Sequence, residues 1–258
     1  MSSERPARVP LMGIEIDSVG ELEGIELILT SLARGQGGWV VTPNLDMIRL
    51  LTRSPELARL VAGADLVVAD GMPLVWASRL AGNRLPERVA GSSMLFSLSD
   101  AAASCEKSVG LVGGAPGAAS VAAERLRARS PALEVSALPL PMRFDPMARS
   151  EVEPVAQALR SSQPDIVFVG LGFPKQELLI SQLRAALPQS WFIGVGVSLS
   201  FASGQVSRAP AWVQRIGLEW AHRLRQEPRR LAWRYVVHDL PFAVRLFAHA
   251  LSRRLLKP

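Results

Sequence analysis

The run Asp65-Leu-Val-Val-Ala-Asp70-Gly71-Met-Pro73 sets a carboxylate after four apolar residues and against a turn. Such a carboxylate stands at the carboxyl edge of a sheet, where it can serve catalysis or cap the following helix; position alone leaves both uses open. Thr42 and Asn44, in Val40-Val-Thr-Pro-Asn-Leu-Asp46, pose the same choice between helix cap and ligand contact. Three glycine-bearing turns could face phosphates with bare backbone N–H groups: Gly110-Leu-Val-Gly113-Gly114-Ala-Pro-Gly117, Gly170-Leu-Gly172-Phe-Pro-Lys175-Gln176-Glu177 and Gly194-Val-Gly196. None matches the dinucleotide fingerprint or the Walker A pattern, and a glycine after a strand also serves as a plain tight turn.

Other chemistries find little to build on. The chain has no Asp-x-Asp, the usual carboxylate pair that holds a divalent ion on a nucleotide diphosphate, so a metal-independent mechanism without a cofactor is expected. His222, His238 and His249 all fall in the C-terminal segment and none follows a strand end, which disfavours Ser-His-Asp catalysis. Cys105 is the only cysteine, which excludes an intrachain disulfide and fits a reducing cytoplasm.

The elements that would position these residues are legible from Trp39 onward. Of 258 residues 48% are apolar and 20% charged, a composition that folds. Short apolar runs at Trp39–Thr42, Leu66–Ala69, Ser108–Val112, Leu133–Ala137, Ile166–Gly170 and Trp191–Val195 read as strands. They alternate with helical patterns at Leu45–Arg53, Met72–Leu80, Ser93–Ser104, Pro116–Ala128, Met147–Arg160 and Lys175–Leu187. This alternation predicts an α/β fold with an open, mostly parallel, Rossmann-like sheet. Strand carboxyl ends would then gather Thr42, Asn44, Asp70, Gly113, Gly114 and Gly172.

After Gly204 the texture becomes Arg- and Trp-rich and the strand pattern stops, which divides the chain into an α/β core (1–207) and a basic helical C-terminal appendage (208–258). Residues 211–258 hold ten Lys and Arg against three Asp and Glu, a charge of +7, while residues 1–210 carry −1. Arginines interleave with apolar residues in the appendage and Pro241 interrupts the run, so it suits lying on an anionic membrane surface rather than crossing it. Trp233, Phe242 and Phe247 are the expected membrane contacts. The stretch Met1 to Val9 reads as neither a signal peptide nor the start of a spanning helix.

In order along the chain, several stretches resemble the WecG/TagA/CpsF family of bacterial glycosyltransferases. They are Thr42-Pro-Asn44, Ala69-Asp-Gly-Met-Pro73, Arg88-Val-Ala-Gly-Ser92, Gly170-Leu-Gly-Phe-Pro-Lys-Gln-Glu177, Gly194-Val-Gly196 and Arg208-Ala-Pro-Ala-Trp212. The C-terminal segment adds Gly217-Leu-Glu-Trp220, Arg223-Leu224, Glu227-Pro-Arg-Arg230 and Arg234-Tyr235. The resemblance covers residues 12–245 and implies an inverting, metal-independent enzyme. It would move a sugar from a UDP-sugar donor to a polyprenyl-diphosphate-linked acceptor, peripherally bound at the cytoplasmic face of the bacterial plasma membrane.

Carried over by motif, the resemblance makes Asp70 the general base and places Thr42 and Asn44 in the same pocket. It implies that Gln176 and Glu177, with Lys175, Gly113, Gly114, Gly172 and Gly196 near them, contact the nucleotide sugar. Arg208, Arg223, Arg229 and Arg230 would close over the diphosphate. Two positions depart from the family pattern: Ser93 and Ser200 stand where many relatives have aspartate. The resemblance therefore does not carry N-acetylmannosamine over as the donor sugar. It leaves open a homo-oligomer and a family member that has lost catalysis. A nucleotide- or nucleic-acid-binding regulator with a Rossmann-like sheet is the competing class, but no nucleic-acid motif is present, so nucleic acid is not an expected partner.

Overall fold

A computed structural model of the chain describes residues 6–210, 213, 219–226 and 228–256, with the side chains of Arg223 and Arg230 outside the description. Trp212, Gly217 and Glu227 of the family-like stretches also lie outside the described residues. The chain opens with an antiparallel hairpin, β1 (Arg8–Leu11) and β2 (Ile14–Asp17), closed by Met12 and Gly13 at φ of 54° and 84°. Two successive positive φ values make a type I′ turn, whose twist matches that of the strands it joins.

All six expected strands form: β3 (Gly38–Val41), β4 (Leu66–Val67), β5 (Val109–Gly113), β6 (Val135–Leu138), β7 (Ile166–Gly170) and β8 (Trp191–Gly194). They build one parallel sheet in the order β4-β3-β8-β7-β5-β6. Parallel strands are covered on both faces, which is why they read as unbroken apolar runs. Side chains still alternate between two cores. Val41, Val67, Val112, Val167 and Phe192 enter one core, under α2 (Leu45–Leu51), α3 (Pro55–Ala62), α4 (Met72–Leu80), α7 (Arg149–Ser162) and α8 (Lys175–Ala186). Val40, Leu66, Leu111, Phe168 and Ile193 enter the other, under α1 (Glu21–Ala33), α5 (Gly91–Ser104), α6 (Ala118–Arg129) and α9 (Ser198–Ala202).

The C-terminal segment is helical: α10 (Glu219–Gln226), α11 (Pro228–Trp233), a π-helical stretch (Arg234–Asp239) and α12 (Leu240–Leu255). Pro241 sits in the first turn of α12, directly after the π-helical stretch. One face of α12 carries Phe242, Leu246 and Ala250, which join the first core beside α4. This corrects the expectation for Phe242, which is buried in protein rather than turned to a membrane; Phe247 is partly buried against the same core. Among the described residues, no helix is long and apolar enough to cross a membrane.

The hairpin protects the exposed edge of the sheet. Strand β4 is only two residues long, and the N–H of Val67 donates to Asp17 Oδ2 at 2.7 Å. Arg8 Nε donates to the other oxygen of the same carboxylate at 2.9 Å, and Asp17 is 1% exposed. The carboxylate thus stands in for a neighbouring strand and closes an edge that would otherwise pair with another chain. Replacing it strands a buried amide and a cation, so Asp17→Ala is expected to lower stability by about 2–3 kcal/mol in urea unfolding.

Candidate active site

Past the carboxyl ends of β3 and β8 the chain turns opposite ways, to β4 over one face of the sheet and to α9 on the other, where α9 packs on α5 and α6. Topological switch points of this kind are where open α/β sheets take ligands. Thr42 lies at this point, buried, its Oγ1 donating to the Gly194 carbonyl at 3.3 Å. Asn44 is the N-cap of α2: its Oδ1 accepts from Met47 N–H at 3.0 Å, while the residue remains exposed.

Asp70 is held from both sides by main chain. Its N–H donates to Pro43 O at 2.9 Å, and the preceding carbonyl of Ala69 accepts from Val89 N–H at 2.9 Å. The cap position of α4 is Gly71 rather than Asp70. The structure therefore brings Asp70, the Thr42-Pro-Asn44 turn and the stretch from Arg88 to the start of α5 to one place.

Arg208 reaches the same place. Its Nη2 donates to Ser93 Oγ at 2.9 Å and Nη1 to Ser92 O at 3.4 Å, while Nε is buried without a hydrogen-bond partner, 4.0 Å from Glu219 Oε1. Burial pushes the Arg208 guanidinium below its ordinary value; Glu219 opposes that, Arg88 adds to it, and Asp70 and Glu21 oppose it. Arg88 Nη1 donates to Glu219 Oε2 at 2.7 Å. Sequence reasoning assigned no role to Arg88 or Glu219, although both stand in the family-like stretches; their pairing spans 131 residues and has no local signal. Arg229 is exposed on α11, and the side chains of Arg223 and Arg230 lie outside the description.

The glycine turns divide into two kinds. Gly113 and Gly114, at φ of 83° and 85°, sit where side chains already fill the space: a Cβ on Gly114 would lie 3.1 Å from Ala118 Cβ and 3.2 Å from Leu199 Cβ. Leu199 also closes on Gly170, so Gly114 and Gly170 let α9 pack closely on the ends of β5 and β7. Gly172 and Gly196 have open space at the Cβ position, but their N–H groups both donate to Gln176 Oε1, at 3.1 and 2.9 Å. These two N–H groups are therefore satisfied within the protein.

Gln176 and Glu177, at the start of α8, are 4% and 0% exposed. Gln176 Nε2 donates to Glu177 Oε1 at 2.9 Å, and Glu177 Oε2 has no partner. The Glu177 carboxyl is thus enclosed by protein. Desolvation raises its pKa from 4.5 to about 7, against the hydrogen bonds from Gln176 and its own backbone. Lys175 is exposed and anchors the preceding loop, Nζ donating to Phe144 O at 3.0 Å. Ser200, one of the two departures, is buried on α9.

The appendage is tied to the turn that carries Asn44. Asp46 Oδ1 pairs with Arg49 at 2.6 Å, and Arg234 stands 3.9 Å from Asp46 Oδ2 and 3.6 Å from Asp239 Oδ2. Burial and the negative Asp46 push the Asp239 carboxyl up to about 6, against the pull of Arg234, Arg49 and His238.

An all-parallel sheet with a carboxylate and two arginines gathered beyond the ends of its strands is the arrangement of a ligand-binding, doubly wound α/β protein. The family follows from comparison: the glycosyl transferase WecG/TagA/CpsF family matches residues 9–256, and the chain belongs to that family of glycosyltransferases. It is 32% identical to an N-acetylglucosaminyldiphosphoundecaprenol N-acetyl-beta-D-mannosaminyltransferase of Bacillus spizizenii, over 85% of this chain and 82% of the relative. Proteins of the same description from Bacillus subtilis strain 168 (26% identical, 86% of this chain and 84% of the relative) and Staphylococcus aureus strain MW2 (27%, 87% of each) are also similar.

The buried Glu177 carboxyl has a measurable signature. A group whose folded pKa lies above its unfolded value holds its proton longer in the folded state, so its contribution to stability falls as pH rises between the two values. Chemical unfolding of wild type and Glu177→Gln across pH is expected to show wild type losing stability relative to the variant from about pH 4.5 to about 7, with a constant difference above.

Proposed function

We propose that the chain transfers a sugar from a UDP-sugar to a saccharide carried on polyprenyl diphosphate, by a single inverting displacement that uses no metal ion. The observation that carries the reading is that Arg208 reaches Ser92 and Ser93 at the start of α5, beside the strand end that bears Asp70, with its buried Nε lacking a hydrogen-bond partner. Asp70 takes the proton from the acceptor hydroxyl as its oxygen bonds to the anomeric carbon. The bond from that carbon to the donor phosphate breaks on the opposite side and UDP departs. The charge that develops on the diphosphate needs donors aimed at it, which Arg208 and Arg88 supply. Arg223, Arg229 and Arg230 of the basic segment add to the same field. In this reading arginines do the work that an Asp-x-Asp-bound ion does elsewhere, in a chain that lacks that motif.

The acceptor class comes from the relatives, whose names specify a sugar on diphosphoundecaprenol. Such a substrate lies in a membrane, and α12 has a face to meet it. Opposite its buried residues it exposes Leu240, Val244, Leu251 and Leu255, with Arg245, Arg253 and Arg254 also exposed. An apolar stripe flanked by arginines suits the interface of an anionic leaflet. We place the protein there, at the cytoplasmic face, with 1–207 as the catalytic core and 208–258 as the unit joining site and membrane. The donor sugar is left unassigned, since Ser93, against Arg208, and Ser200 differ from the family pattern.

The test is release of UDP and formation of a glycosylated product from UDP-sugars and a prenyl-diphosphate-linked acceptor. Asp70→Asn is expected to lower kcat by about 10²–10⁴ with donor affinity retained. Arg208→Ala is expected to lower kcat by about 10²–10³. Wild-type turnover in Asp70→Asn would overturn the assignment.

A further inference from the structure

Glu177 is costly where it stands. A carboxyl at 0% exposure with one oxygen unpartnered is worse for stability than an apolar side chain of similar shape. Its other oxygen makes one contact to a neighbouring side chain, the Gln176 carboxamide. That carboxamide has two ends of nearly equal shape, so packing alone cannot choose its orientation. The choice matters, because its oxygen receives the N–H groups of Gly172 and Gly196, which belong to the loops after β7 and β8. Turned over, the amide would set its own NH₂ against two further donors.

We propose that Glu177 is a positioning residue of the transferase site: its carboxyl fixes the Gln176 carboxamide with the oxygen toward Gly172 and Gly196, and so sets the spacing of the two strand-end loops. The space around this pair is already taken. A Cβ on Gly194 would lie 2.4 Å from Gln176 Nε2 and 3.1 Å from Glu177 Oε1, so β8 is backed directly against it. From there the effect reaches the crevice by contacts already described. Gly194 O receives Thr42 Oγ1, and Pro43 O receives the N–H of Asp70. An error in the Gln176 amide therefore shifts the loops that frame the acceptor base, although neither Gln176 nor Glu177 has to touch substrate.

The proposal rests on the transferase reading for its kinetic consequence, but its structural half can be tested without substrate. In the full-length chain, Glu177→Met keeps an unbranched side chain and removes the acceptor, while Glu177→Gln keeps an acceptor oxygen. Amide hydrogen exchange is read at Gly172 and Gly196, with Phe168 in β7 as the internal reference for global stability. In Glu177→Met both glycine amides are expected to exchange about tenfold faster relative to Phe168, the scale of one lost hydrogen bond. The kcat should fall about tenfold with the donor KM little changed, and Glu177→Gln should restore both exchange and kcat. Unchanged exchange at both glycines in Glu177→Met overturns the proposal, and so does equal loss of protection in the Met and Gln variants. Should Glu177→Met fail to fold, the Gln variant alone decides: wild-type protection at both glycines supports the proposal, and loss of protection overturns it. Wild-type protein that transfers no sugar from any UDP-sugar would count against the transferase reading, while the exchange data still judge the role of Glu177.

Discussion

Six parallel strands end on one edge of the sheet, and the main-chain groups just past those ends have no further ladder partner. Side chains and neighbouring turns must supply the missing bonds, since a buried amide or carbonyl left alone costs free energy comparable to a lost hydrogen bond. Gln176 satisfies two amides from the loops after β7 and β8, Thr42 supplies a donor to Gly194 O, and Pro43 O receives the N–H of Asp70. The same requirement on the outer flank is met by Asp17 against Val67. The polar residues that shape the crevice are thus the ones that allow the sheet to end there.

Within that frame, charge is arranged asymmetrically. Arg88 is matched closely by Glu219, whereas Arg208 reaches Glu219 only at 4.0 Å and spends its other donors on a serine hydroxyl and a backbone carbonyl. A guanidinium desolvated to this degree and only loosely paired is suited to an anion that comes and goes. Because Glu219 belongs to α10, the pairing also joins the C-terminal segment to the core, and Arg234 with Asp46 and Asp239 makes a second join. Among the described residues, the basic segment is therefore tied to the core by the ion pairs of Arg88 with Glu219 and of Arg234 with Asp46.

Much of this is legible in the sequence itself. Strands buried on both faces announce themselves as apolar runs, and Asp70 and Thr42 stand where those runs stop. The N-terminal hairpin and α1 were not read. Each strand there is four residues long, so alternation of Val9, Leu11, Ile14 and Ile16 is too brief to separate from a loop. At Gly114 the sequence shows that a side chain is missing but not that Leu199 fills its place. Gln176 and Glu177 open a helix just after a strand, as ligand contacts do, and only the fold reveals that Gln176 joins the loops after β7 and β8 while Glu177 pairs with it. Phe242 among arginines reads as an interfacial aromatic; the partner that buries it, α4, lies far away in sequence.

The proposed function puts the nucleotide beyond the ends of β3, β4 and β8, among Asp70, Arg88 and Arg208. Two other concavities compete for it, one at the amino ends of the strands lined by Gly37, Gly38 and Ser190, the other beside β6 lined by Leu138, Phe144 and Val155. Amide hydrogen exchange of the full chain with and without UDP separates the three sites. The account predicts protection concentrated at Asn44, at Asp70 and Gly71, and at Gly91 to Ser93. Protection confined to Gly37, Gly38 and Ser190, or to the stretch from Leu138 to Val155, would contradict it.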